Sequence, residues 1–180
     1  MRFVNTVGWF RRVGQLLMRI PRPVCWVPAV SWMALIWWAS SISPRSAPRP
    51  DAWRLVVHNF LHAPEFGVLA ICALLFLPRV NGWPVLHWGT RLGVVLFTTA
   101  YGVIDEFHQA QTPNRDFSVL DILSDCNAAC CVVWIAGYVG RTDATERGLA
   151  VRFGLGIAAC FVCAAIATFT PRLFPGVDWL

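Results

Sequence analysis

Residues 119–139 read VLDILSDCNAACCVVWIAGYV, a run as long as the ~20 residues needed to cross a hydrocarbon layer, with Asp121 and Asp125 as its only charges. Just upstream, residues 101–118 read YGVIDEFHQAQTPNRDFS, so Tyr101, Asp105, Glu106, His108, Gln109, Arg115, Asp116 and Ser118 gather where this run meets the apolar run before it. Six of the ten acidic residues (Glu65, Asp105, Glu106, Asp116, Asp121 and Asp125) lie in or beside apolar sequence. An unpaired charge there costs about 2.5–3.5 kcal/mol on insertion scales. Such groups need partners or a purpose.

The surrounding chain agrees with a membrane reading. It is 57% apolar and 14% charged, more hydrocarbon than one soluble core can hide. Five runs have spanning length: Val24–Ile42, Trp53–Leu77, Val85–Gln109, Val119–Val139 and Leu149–Thr170. The expected fold is therefore all-α, a polytopic membrane helical bundle with about five transmembrane helices. Short connectors leave no room for a soluble domain. Residues 24–170 form the transmembrane domain, 1–23 a basic arm and 171–180 a short tail.

Prolines punctuate this plan. Pro21 and Pro23 precede the first span, Pro44, Pro48 and Pro50 follow it, Pro78 and Pro84 bracket the second connector, and Pro113, Pro171 and Pro175 mark later boundaries. Pro64 is the exception, because a helix starting there and ending at Leu77 is too short to span. The helix is expected to begin near Trp53 and to bend near Pro64, whose missing N–H frees the Phe60 carbonyl.

Arginine sets the orientation, since the chain has no lysine. With the N-terminus in the cytoplasm, ten arginines fall inside and five (Arg45, Arg49, Arg54, Arg115 and Arg172) outside. The expected placement is N-terminus in, C-terminus out. In the arm, Phe3, Val7, Phe10, Val13, Leu17 and Ile20 recur every three to four residues, with arginines off that stripe, as in an interfacial helix on an acidic leaflet. A cleaved signal peptide fits less well, because Val24–Ile42 exceeds a usual h-region.

This topology lets scattered polar residues meet at one level. His58, His62 and Glu65 lie in the outer half of the second span, Asp105, Glu106, His108 and Gln109 end the third, Ser118, Asp121 and Asp125 open the fourth, and Ser40, Ser41 and Ser43 close the first. Tyr101, Asp105, His108 and Gln109 share a face of one helix, and Asp121 and Asp125 share one of the next. Small residues Gly102, Ala128 and Ala129 near those faces permit close approach.

The run Tyr101, Asp105-Glu106-Phe107-His108-Gln109, Pro113, Arg115, Ser118, Asp121 and Asp125 resembles the VanZ-like family of small bacterial membrane proteins. His62-Ala63-Pro64-Glu65-Phe66 with Leu69 resembles that family's H-x-x-E-aromatic element, and the first span ending in Ser40-Ser41 fits too. The likeness covers roughly Trp32 to Val139. It departs from the family pattern at Asn59, Gln111 and Ala128. The resemblance implies an envelope role in the bacterial inner membrane and a connection with teicoplanin, a lipoglycopeptide. It supplies no reaction.

Four chemistries are open to the cluster of His62, Glu65, Tyr101, Asp105, Glu106, His108, Gln109, Arg115, Ser118, Asp121 and Asp125. Arg115, with Arg54 or Arg45, would grip a phosphate or carboxylate while the acids bind amines or sugar hydroxyls of an amphiphilic envelope molecule, its acyl chain lying in an apolar groove. Alternatively the cluster is packing glue, with Arg115 paired to Asp105 or Asp121 and Ser118 capping the fourth span. Acid–base chemistry on a lipid-linked substrate would divide roles between Asp105 and Glu106, with His108 as proton shuttle. A metal site has the ligand types but unspecific spacing, and His62-x-x-Glu65 reverses the order used in carboxylate-bridged bundles. No metal, cofactor or catalytic residue is assigned. No nucleic-acid partner is expected, and the seven cysteines, all in apolar runs, read as small hydrophobes.

Overall fold

The computed structural model describes residues 5–43, 51–113, 115 and 117–173, without the side chains of 171–173. Arg45, Arg49, Asp116 and the tail from 174 lie outside the described residues. Among the described residues seven α-helices follow one another: α1 (Thr6–Leu17), α2 (Trp26–Ser40), α3 (Ala52–Phe60), α4 (His62–Leu74), α5 (Trp88–Gln109), α6 (Val119–Val139) and α7 (Glu146–Leu173). One turn of 3₁₀ helix, Arg22–Val24, leads into α2. The only strands among the described residues are β1 (Arg79–Val80) and β2 (Trp83–Pro84).

Helices α3 and α4 are the two halves of the expected second span. Asp51 caps the first by accepting from the Arg54 N–H at 2.8 Å, which starts the helix beside Trp53. The break falls at Leu61, three residues before Pro64, as a missing proline donor and a ring against the preceding turn dictate. Together they supply a stretch of spanning length, Ala52–Leu74, as do Arg22–Ser40, Val119–Val139 and Glu146–Thr170. These four are long and apolar enough to cross a membrane. Helix α5 has the length but not the composition, because Arg91, Asp105 and Glu106 dilute its hydrocarbon. Among the described residues four stretches thus meet both criteria, against the five expected, and α5 packs against α2, α4 and α6.

Helix α6 is the staff of the bundle, lying against α4, α5 and α7; α3 packs on α7, and α2 on α4 and α5. Ala128 and Ala129 are buried on α6 and let these neighbours approach. One apolar cluster joins Phe66 and Leu69 of α4 to Ile36, Tyr101 and Ala128. Another holds Leu74, Val94, Ala129 and Val133 with Met18 and Cys25. The outer faces are apolar instead of polar: Trp26, Val27, Val30 and Trp38 on α2, and Leu155, Ile157, Val162 and Ile166 on α7, are all exposed. A hydrocarbon solvent accounts for such faces; water does not.

Helix α1 forms as the sequence stripe predicts and is tied to the bundle. Val7 is buried with Val139 and Leu149, the Val7 N–H reaches Glu146 Oε1 at 2.9 Å, and Arg11 donates to the carbonyls of Val139 and Arg141 at 3.0 and 2.7 Å. The connector after α4 is a hairpin that composition alone conceals. Asn81 and Gly82 both take positive φ, 52° and 71°, as a two-residue turn of right-handed twist requires. It seats Trp83, whose indole N–H donates to the Ala136 carbonyl at 3.1 Å. Arg79 donates to the carbonyls of Met18, Ile20 and Leu75, joining the arm to the end of α4.

Candidate functional site

The end of the bundle opposite this hairpin carries the polar residues. Helix α4 starts there with His62, α5 ends there with Gln109, and α6 starts there with Val119 behind its cap, Ser118. The Ser118 hydroxyl accepts from the Asp121 N–H at 3.2 Å, which is the cap expected from Ser-x-x-Asp. Its own N–H donates to Glu106 Oε2 at 2.8 Å, so one serine caps α6 and anchors a carboxylate of α5.

The centre is deeply buried. Glu106 has no exposed surface, Asp125 and Asp105 expose 1% and 2%, and His62 and Gln109 6% each. His62 Nδ1 lies 3.2 Å from Asp125 Oδ1, joining α4 to α6. This close approach relies on Gly102: a Cβ at that position would stand 2.5 Å from Asp125 Oδ2. A second chain of bonds runs along α5 and the loop after it. Arg115 donates to Gln109 Oε1 at 2.9 Å, Gln109 donates to Asp105 Oδ2 at 2.8 Å, and Arg115 also reaches the Ile42 carbonyl at 3.3 Å. Arg115 thus meets Asp105 through Gln109; among the described residues it forms no direct ion pair with Asp105 or Asp121.

Two expected members face elsewhere, and a third is engaged there through its backbone. The Tyr101 hydroxyl donates to the Met33 carbonyl of α2 at 2.6 Å, inside an apolar cluster. His108 stacks on Trp37 with ring centres 3.7 Å apart, and its Nε2 lies 3.2 Å from Ser41 Oγ. Glu65 is half-buried, and its backbone carbonyl accepts from the Trp32 indole at 2.8 Å. These residues bind α2 to the bundle. Sequence reasoning did not find Trp37 or Thr112, which donates to the Ser40 carbonyl at 3.5 Å; nothing in a run of tryptophans marks the one that stacks. Asn59, where the family pattern has a basic residue, instead donates to Thr168 Oγ1 at 3.1 Å and holds α3 to α7.

The site is short of donors. Asp105 Oδ1, Glu106 Oε1, Asp121 Oδ1 and Asp125 Oδ2 are all buried without a hydrogen-bond partner among the described residues. Buried acceptors are satisfied in the great majority of cases, by protein, water or an ion, so four orphans in one cluster call for an explanation. Nearby, an apolar groove of about 400 Å³ opens between α4, α6 and α7, lined by Ala63, Pro64, Gly67, Ala128 and Gly156 among others.

Apolar outer faces around a buried acidic centre define a helical, multi-pass membrane protein with a polar site at one end of its bundle. The VanZ/LLP1 family model matches residues 12–140, more than half of the chain, and the chain belongs to that family. The match reaches further toward the N-terminus than the motifs, taking in the second half of α1. No curated protein and no solved structure matches the chain.

Proposed function

We propose that this protein resides in the bacterial cytoplasmic membrane, N-terminus inside, and recognises an amphiphilic cell-envelope molecule at its outward-facing polar end. The observation that carries this reading is the surplus of acceptors: four buried carboxylate oxygens without partners among the described residues. A headgroup rich in amines or sugar hydroxyls would supply the donors they lack. The Arg115 Nε, also buried without a partner among the described residues, is available to an anionic group on the same ligand. The groove beside Ala63 and Ala128 suits an acyl chain. Orientation rests on the arginine asymmetry. The family's association with teicoplanin makes lipoglycopeptide susceptibility the phenotype to examine.

Lipid extracted from detergent-purified wild type, Asp105→Asn and Glu106→Gln, followed by melting with each recovered species added back, tests the reading. A discrete envelope lipid that raises the melting temperature of wild type and not of the variants supports it. The interhelical bond His62–Asp125 and the bond from Arg115 of the following loop to Gln109 of α5 favour a second reading, in which the cluster only fastens the bundle. No lipid-dependent shift, together with strongly destabilised variants, would establish that second reading and end the first.

A further inference from the structure

The cluster contains an arrangement that the amphiphile reading does not require. His62 on α4, Glu106 on α5 and Asp121 on α6 each offer one ligand atom, and those atoms lie within 4.8 Å of one another. First-row divalent ions hold imidazole nitrogens and carboxylate oxygens at about 2.0–2.2 Å, so a small side-chain adjustment brings the trio around one ion. Separation in the sequence hides the grouping. The neighbour that sequence suggests for His62, Glu65, is not part of it.

His62 and Glu106 each have one side-chain atom anchored and another left over, and Asp121 has one left over. Asp125, as a carboxylate, accepts from His62 Nδ1–H, which leaves the Nε2 lone pair available. Glu106 is held through Oε2 by the Ser118 N–H, while Oε1 is buried without a partner among the described residues on a side chain that has no exposed surface. Asp121 Oδ1 is likewise buried and unpartnered among them. A carboxylate behind the distal nitrogen of an imidazole, and a hydrogen bond behind a ligating carboxylate, are what orient metal ligands and fix their tautomer. Charge points the same way. Among the described residues Asp105, Glu106, Asp121 and Asp125 converge with Arg115 as the only arginine bonded into the cluster, an excess that a dication offsets.

We propose that His62, Glu106 and Asp121 bind a first-row divalent cation of the zinc or manganese type, with Asp125 and Ser118 orienting the ligands. One imidazole and two carboxylates suit these ions, and three protein ligands leave a coordination position for water or a ligand oxygen. The site stands whether or not an amphiphile binds.

The test uses full-length protein in detergent, stripped with a chelator and titrated with MnCl₂ or ZnCl₂ by calorimetry and thermal melting, without added lipid. Wild type is expected to take up one equivalent and to melt higher with metal. Asp121→Asn is expected to bind at least about 10-fold more weakly, and Glu106→Gln to do the same. Asp125→Asn, which disturbs only the tautomer support, should fall within the 10–100-fold range typical of outer partners. Asp143→Asn, in the turn beyond the far end of α6, should bind metal as tightly as wild type. Because Asp121→Asn keeps its backbone bond to Ser118 and is isosteric, it reports even where Glu106→Gln fails to fold. Absence of stoichiometric uptake by wild type, or wild-type affinity in Asp121→Asn, overturns the proposal.

Discussion

Gly102→Ala sets two opposing magnitudes against each other at the contact that joins α5 to α6. In a helix interior the exchange gains up to about 1 kcal/mol from backbone entropy. Here the new methyl would stand 2.5 Å from Asp125 Oδ2 and 3.3 Å from both Cβ and Cγ of the same residue. The carboxylate cannot simply swing away, because Oδ1 is engaged with His62 at 3.2 Å, so either the helices separate or that bond is lost. Overpacking costs about 1–3 kcal/mol and a charge-assisted bond about 1.5–3 kcal/mol, so either loss outweighs the gain by about 1 kcal/mol. For a chain of this size that is a fall of about 2–4 °C in melting temperature. Gly93→Ala on the same helix supplies the control, because a Cβ there meets nothing within 4 Å. It should leave melting unchanged or raise it by about 2–4 °C. Intrinsic tryptophan fluorescence of the two variants in one detergent reads both numbers. A Gly102→Ala protein that melts as high as Gly93→Ala would refute the close packing of α5 on Asp125.

Asp105→Asn should leave stability unchanged or raised, since an amide oxygen still accepts from Gln109 while Oδ1 has no partner among the described residues to lose; a melting curve decides it. Arg79→Ala should cost about 2–4 kcal/mol, because it removes donors to the carbonyls of Met18, Ile20 and Leu75 together, and faster proteolysis of the arm would report the same loss. In the turn after α6 the Arg141 guanidinium, 2.7 Å away, holds the Asp143 carboxyl at about 2, below its usual 3.8. Its contribution is therefore present above about pH 4 and lost as pH falls toward 2. The melting difference between wild type and Asp143→Asn should be constant from pH 7 to 5 and should shrink from pH 4 downward as pH falls through about 2.

The helices were legible because their causes are local. Apolar length marks α2, α6 and α7, Pro64 announces where the second span breaks, and Ser118-x-x-Asp121 announces its own cap. The level at which the acids gather was legible too, since it follows from counting spans. What the sequence withheld is helix rotation. His62 and Glu65 are neighbours on one helix, yet His62 turns to Asp125, Glu106 and Asp121 on two others. Arg115 was expected to seek a carboxylate and found an amide, because Gln109 lies between it and Asp105. Tyr101 and His108 share the face of Asp105 in projection, but a carbonyl of α2 and the ring of Trp37 claim them first.

Helix α5 also says something about how the protein is made. Its acids are buried at one end of the bundle, where α5 packs against α2 and α4 before it and α6 after it. As the chain emerges during synthesis, α5 is complete before α6 exists, and for that interval Asp105 and Glu106 have no helix to turn toward on that side. Insertion scales charge such residues about 2.5–3.5 kcal/mol each at the middle of a span, less near its end. The helix that contributes most to the site is thus the one least able to enter a membrane alone. Its place in the bilayer depends on a neighbour not yet translated, which ties assembly of the site to completion of the chain.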